Sequence, residues 1–211
     1  MAEIEYFYSA HSAFAYLGSA RFMTIAKAAG RRIVHRPIDL RRVIAESGSV
    51  PFGKRSKAHV AYFFGREIER WSEVRGAPTK PGIPTHHAKD PALANGMLIA
   101  GLGRGIDIDR LAYAMLEAHW RDDADLADRL TLASIGRSVG VDPDSLLDRA
   151  TTPEVQQVYR ANTEEAIRRS VFGSPTYVVD GDMFYGQDRL EMVERALRRP
   201  YVATWSKVGA T

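Results

Sequence analysis

An α/β fold in the order β-α-β, a long all-helical insertion, then α-β-β-α is the prediction from this 211-residue sequence. Three observations support it. Short apolar and aromatic runs of strand length stand near both ends of the chain, and helical periodicity fills the middle. An Asp-Gly pair of hairpin type separates the last two strand-like runs. Residues 4–8 and 33–37 are the first two strands. Between them Phe14, Gly18, Phe22, Ile25 and Ala29 share one helical stripe, with Gly30 as a stop signal. This connection is long enough for a parallel crossover. Residues 39–51 read as irregular, punctuated by Gly48, Ser49 and Pro51.

The middle is helical. Val60, Phe64, Ile68 and Trp71 form a stripe that ends near Gly76-Ala77-Pro78, and a Pro/Gly-rich loop containing His86-His87 follows. Further helices are predicted over 91–102, 107–119, 125–139 and 142–150. Thr152-Pro153-Glu154 is a start signal, with Thr as N-cap and Pro in the first helical position, for a helix reaching residue 169. Residues 176–179 are β-branched and aromatic, Asp180-Gly181 is a tight turn, and 183–185 pair back. A last helix spans 187–199. This order, with Pro175 at the entry to the third strand, is the thioredoxin-like arrangement. Residues 1–40 and 152–200 would form the thioredoxin-like domain, 41–151 the helical insertion, and 201–211 a tail.

A content of 45% hydrophobic and 26% charged residues is that of a folded chain with a proper core and excludes a disordered or fibrous one. No apolar stretch approaches the ~18–20 residues that span a bilayer. The start, Met1-Ala2-Glu3-Ile4-Glu5, lacks the basic region of a signal peptide, so a cytoplasmic protein is expected. Without cysteine there is no disulfide, no thiolate zinc site and no cysteine nucleophile. The balance of 29 Lys+Arg against 26 Asp+Glu, a net +3, is too small to suggest a nucleic-acid partner without a concentrated patch. The nearest concentration is Arg31 to Lys57. It reads either as a solvated basic face or as a site for a small carboxylate-bearing ligand.

In an α/β unit, ligands collect beyond the carboxyl ends of the strands, where the following helix begins. Here that point is Ser9 to Phe14. Ser12 opens the helix, beside unpaired backbone N–H groups and the positive end of the helix dipole. Its simplest role is a cap; its functional role would be donation to an anion, for which a thiolate is a suitable guest. Pro175 is tolerated at a strand entry, and a cis Ser174-Pro175 bond would free flanking backbone for an extended peptide. Asp188 stands in the first turn of the last helix, where it favours the dipole or accepts from a ligand ammonium. His11 is open between surface and site. His86-His87 lacks metal-pair spacing, so no metal is expected, and His119-Trp120 would pack at a helix end.

Three separated stretches carry a resemblance. Phe7-Tyr8 with Ser12-Ala13-Phe14 and Tyr16-Leu17-Gly18 resembles the opening of kappa-class glutathione transferases and of their relatives, the 2-hydroxychromene-2-carboxylate isomerases. Val171 to Thr176 is similar to their cis-proline segment, and Phe184 to Leu190 to their aromatic-Gly-x-Asp-Arg signature. Glu67 to Trp71 with Gly76-Ala77-Pro78 resembles the family's helix after the second strand. The likeness spans residues 4–199. Ala13 stands where the family has a proline, and His11 is unusual in that loop.

The resemblance implies a glutathione-dependent enzyme and a homodimer. Ser12 would hold the glutathione sulfur. Ser174 would pair with the tripeptide backbone, with Pro175 cis behind it, and Gln187 and Asp188 would receive its γ-glutamyl end. The family's lysine after the second strand would be Lys57 or Lys54, which spacing does not separate. The reaction implied is cis–trans isomerisation of an aromatic carboxylate, the thiolate supplying the nucleophile that a cysteine-free chain lacks. A glutathione transferase acting on an electrophile is one alternative; a non-catalytic thioredoxin-fold module binding peptides is another. A disulfide oxidoreductase would need a Cys-x-x-Cys pair, which is absent.

Overall fold

Ile4, Tyr6 and Tyr8 alternate along the first strand and all are buried, as are Ile33, His35 and Pro37 along the second. In the computed structural model, which describes residues 2–202, these runs form β1 (Glu3–Tyr8) and β2 (Arg32–Pro37), paired in parallel with Tyr6 opposite His35. Helix α1 (Ala13–Ala28) connects them. Strands β3 (Thr176–Val179) and β4 (Asp182–Tyr185) are antiparallel, and β3 runs antiparallel to β1, giving the order β2-β1-β3-β4. Asp180 and Gly181 take φ values of 48° and 92°, the left-handed pair that a two-residue hairpin of this twist requires. Tyr6 stacks on Tyr8 at 4.1 Å and on Tyr177 at 5.4 Å, with Phe22 of α1 at 4.9 Å, so aromatic rings fill the space between sheet and helix.

Residues 40–46 depart from the expected irregular loop. They form α2 (Leu40–Glu46), because the Asp39 carboxylate accepts from the Arg41 and Arg42 amides at 3.1 and 3.2 Å and caps it. Ser56 likewise caps α3 (Lys57–Val60), which runs through a π-helical turn (Ala61–Arg66) into α4 (Glu67–Arg75). Gly76 ends it with φ 61°, the left-handed residue that closes a helix. Helices α5 (Ala92–Leu102), α6 (Asp109–Asp122), α7 (Arg129–Ser138) and α8 (Pro143–Ala150) follow, then α9 (Pro153–Arg168). Thr152 stands at the N-cap of α9, but its side chain makes no capping bond; Pro153 in the first position sets the start. The chain closes with a 3-10 turn (Gln187–Arg189) and α10 (Leu190–Arg198). Most of the expected tail lies outside the described residues. Tyr16 and Leu17 of α1, Met97 of α5 and Met115 and Trp120 of α6 belong to one buried cluster, so sheet and helices share a core.

Gly18 sets how closely α1 meets the turn after β4. A Cβ there would stand 2.6 Å from the Gln187 Cβ and 3.1 Å from the Tyr177 hydroxyl. Gly18→Ala should therefore destabilise the fold by about 1–3 kcal/mol through overpacking. Denaturant unfolding reads this directly, and an unchanged midpoint would contradict it.

Candidate active site

Ser12 has extended backbone angles (φ −75°, ψ 122°), those of an N-cap, and is buried. Its hydroxyl oxygen accepts from the Ala15 amide at 3.3 Å and its hydrogen goes to the Ser174 carbonyl at 3.1 Å. Helix geometry leaves the Ala13 and Phe14 amides without an intrahelical acceptor, so donors and the positive helix end converge here. The Ser174–Pro175 bond is cis. The Ser9 amide donates to the Ser174 hydroxyl at 3.2 Å, which ties the loop before α1 to the entry of β3. Thus Ser12, Ser174 and Pro175 meet at one place. Tyr185 lies across Gly173, where any side chain would strike its ring, and packs edge-on to Phe172 at 4.9 Å.

The helices hold this loop from the other side. The Asn95 carbonyl oxygen accepts from the Ala10 amide at 3.0 Å, which orients its NH2 toward the Ser9 and Tyr159 hydroxyls. The Trp120 indole donates to the His11 carbonyl at 2.9 Å. His11 is buried, its Nδ1 lies 2.9 Å from the Ser9 hydroxyl, and its ring is 4.9 Å from that of His87. His87 meets His119 at 3.0 Å, and His119 meets the Ala124 carbonyl at 2.9 Å. Burial, with help from neighbouring imidazoles and Arg41, pushes the His87 pKa down to about 4 and that of His11 well below its ordinary value. Burial lowers His119 as well. All three are neutral at pH 7. Sequence reasoning left these histidines apart. Among the described residues, no group of three His, Cys, Asp or Glu side chains is placed to hold a metal ion.

Gln187 is buried, and Arg75 of α4 donates to its side-chain oxygen at 2.9 Å and to its backbone carbonyl at 3.0 Å. With the amide oriented this way, the buried Gln187 Nε2 is left without an acceptor. Arg75, which also packs over Trp71 and pairs with Glu191, is a positioning residue that the sequence reading missed. Asp188 is exposed beside it and pairs with Arg189 at 2.5 Å. Lys57 is not brought to the cavities described next. Ser56 caps a new helix there and its first residue points outward, while Lys54 is exposed in the preceding turn. Arg55 takes the inner position, over the Phe64 ring at 5.1 Å, with no acid partner among the described residues. Other arginines of the basic stretch are spent on acids: Arg31 on Asp180, Arg32 on Glu3, Arg36 on Glu5 and Arg42 on Glu46.

Three neighbouring cavities lie about the start of α1, and Ser12 lines the second of them. One of about 210 Å³ is lined by Phe14, Trp71, Ser174, Tyr185, Gln187 and Asp188. A second of about 140 Å³ adds Ser12, His11, Arg55, Phe64 and His87, sharing Phe14, Phe63, Ser174 and Tyr185 with the first. The third, about 590 Å³, extends past His11, Arg55 and His87 to Phe52, Ile83 and Thr85. A largely apolar groove edged by Gln187 and Asp188 and an aromatic, basic one therefore meet beside a helix terminus. That arrangement suits an anionic nucleophile on one side and an aromatic carboxylate on the other.

A 2-hydroxychromene-2-carboxylate isomerase of Sphingobium xenophagum is 27% identical over 195 residues, covering 92% of this chain and 97% of the relative. One from Pseudomonas putida is 25% identical over 198 residues, covering 93% and 94%. A solved 2-hydroxychromene-2-carboxylate isomerase superposes with TM-score 0.77 at 26% identity, covering 93% of this chain and 94% of the other. The cytosolic disulfide reductase DsbM from Pseudomonas aeruginosa shares the fold, with TM-score 0.64 at 15% identity and 94% and 93% coverage. The model of the DsbA-like thioredoxin domain matches residues 3–198, which hold the whole sheet and every helix described above, and the chain belongs to that family.

Proposed function

We propose that the chain is a glutathione-dependent cis–trans isomerase of the 2-hydroxychromene-2-carboxylate type, with the glutathione sulfur held at Ser12. The observation that carries this is the convergence of the Ser12 hydroxyl, the α1 terminus and the Ser174–Pro175 segment on a groove in a chain without cysteine. Relatives of that name at 25–27% identity over most of the chain support it. The residues present fit the tripeptide. The orphaned Gln187 Nε2 can donate to a carboxylate or carbonyl, and Asp188 can accept from an ammonium. When bound, glutathione supplies a thiolate that adds to a conjugated carbon and leaves again, so that a double bond is single long enough to rotate. Ser12 and the first-turn amides stabilise negative charge at that end of the groove. Phe14, Phe63 and Tyr185 offer apolar faces to an aromatic ring, and the Arg55 guanidinium meets its carboxylate.

Incubation with 2-hydroxychromene-2-carboxylate should yield trans product only when glutathione is present, without consuming it. Accumulating thioether would assign a transferase instead, and calorimetry that detects peptide binding but no glutathione binding would assign a binding module. Asp188→Ala should raise the glutathione Kd about ten- to a hundredfold, the loss of one charge-assisted bond of ~1.5–3 kcal/mol. An unchanged Kd would remove Asp188 from the site.

A further inference from the structure

Two of the histidines beside Ser12, His119 and His87, have fixed tautomers. A carbonyl only accepts, so the His119 nitrogen facing Ala124, Nδ1, carries hydrogen and its Nε2 is a lone pair. His87 Nδ1, 3.0 Å from that lone pair, is then the donor, and His87 Nε2 is left as an unpaired acceptor on the cavity wall. The Ser9 hydroxyl accepts from the oriented Asn95 amide, so its hydrogen is free for His11 Nδ1. Where that hydrogen goes to His11 Nδ1, His11 Nε2 carries its own hydrogen and is the donor. The cavity wall thus presents one imidazole acceptor and one imidazole donor, in rings 4.9 Å apart. Neither role is needed to pack the core.

We propose that His11 and His87 form a proton-transfer site that opens a cyclic hemiketal substrate before its double bond isomerises, with His87 Nε2 as the base. This rests on the substrate class inferred above. A double bond within a six-membered ring cannot become trans, and a chromene with a hydroxyl and a carboxylate on C2 is a cyclic hemiketal, so its ring must open first. His87 Nε2 takes the proton of the C2 hydroxyl and C2=O forms. The C2–O1 bond breaks with its electron pair on O1, and the His87 proton is delivered to O1 to give a phenol. No proton is gained or lost. His11 Nε2–H hydrogen-bonds to O1 as charge grows there and keeps its proton. The two oxygens share one carbon, which matches a donor and an acceptor set side by side. Arg41, which donates to the His87 and Ala88 carbonyls at 3.4 and 2.8 Å, holds the loop in place.

Ring opening needs no glutathione, so it can be measured alone. With 2-hydroxychromene-2-carboxylate and no thiol, the wild-type protein should accelerate exchange between closed and open forms, followed by exchange NMR. His87→Gln, which still donates to His119, should lose at least about a hundredfold of that acceleration. Nitrogen-15 shifts of the wild-type histidines at pH 7 should show His87 Nε2 unprotonated, and this decides the matter even if the variant fails to fold. No acceleration by wild type, equal acceleration by His87→Gln, or a protonated Nε2 would each overturn the proposal. A protein that opens the ring but forms no trans product with glutathione retains this site and loses the isomerase reading.

Discussion

Ser12→Ala should lower isomerase turnover about two- to thirtyfold, the loss that the hydroxyl's net preference for a thiolate corresponds to. Lowering a thiol pKa by ~2 units takes roughly 2.7 kcal/mol of preference for the thiolate. A bond from a hydroxyl to a charged acceptor is worth ~1.5–3 kcal/mol, yet Ser12 already donates to the Ser174 carbonyl at 3.1 Å. Exchanging that neutral bond costs about 1 kcal/mol, so the net from the hydroxyl is about 0.5–2 kcal/mol. The helix terminus adds ~0.3–1 kcal/mol. The two together reach the requirement only at the upper end, which makes the hydroxyl the larger share. The variant should therefore raise the bound thiol's pKa by about one unit, read from ultraviolet thiolate absorbance against pH, with little change in glutathione Kd. An equal rate in the variant would place the chemistry elsewhere. Loss of the N-cap costs ~0.5–2 kcal/mol of stability, so the assay belongs well below the melting temperature.

Acidification should destabilise the fold steeply between pH 6.5 and 4. His11, His87 and His119 are held neutral by burial. They bind fewer protons folded than unfolded, so their contribution is complete above the unfolded value near 6.5 and is lost as pH falls. For His87, the gap between 6.5 and about 4 corresponds to roughly 3 kcal/mol, most of it gone by pH 4. Arg41 faces the cluster with positive charge, while Asp125 is paired with Lys89 and Asp123 with Lys80, so among the described residues neither of these carboxylates is free to receive a protonated His87. Urea unfolding at pH 7 and pH 4.5 measures this, and His87→Gln should show a shallower decline than wild type. Parallel declines would mean that the imidazoles are not buried as described.

The hairpin and the start of α1 were legible because local chemistry dictates them. Asp180-Gly181 tolerates the left-handed pair, and Ser12 is a good cap. The meeting of Ser12 with Ser174 came only from the resemblance, since nothing periodic links residues so far apart. Helix α2 was hidden because it buries Val43 alone and shows no stripe, leaving Asp39 as its one signal. Arg75 and the histidine chain were hidden for another reason. Their partners come from the loop before α1, the loop before α5, α6 and the turn after β4, and each alone reads as a surface or helix-end residue. Lys57 looked apt because spacing favours neither neighbour, but the Ser56 cap turns it to solvent and Arg55 inward.

The most direct measurement is a crystal structure of the protein soaked in glutathione. The sulfur should lie within hydrogen-bonding distance of Ser12 Oγ, with the γ-glutamyl end against Gln187 and Asp188. A sulfur lying away from the start of α1, or a groove that stays closed to the tripeptide, would contradict the account.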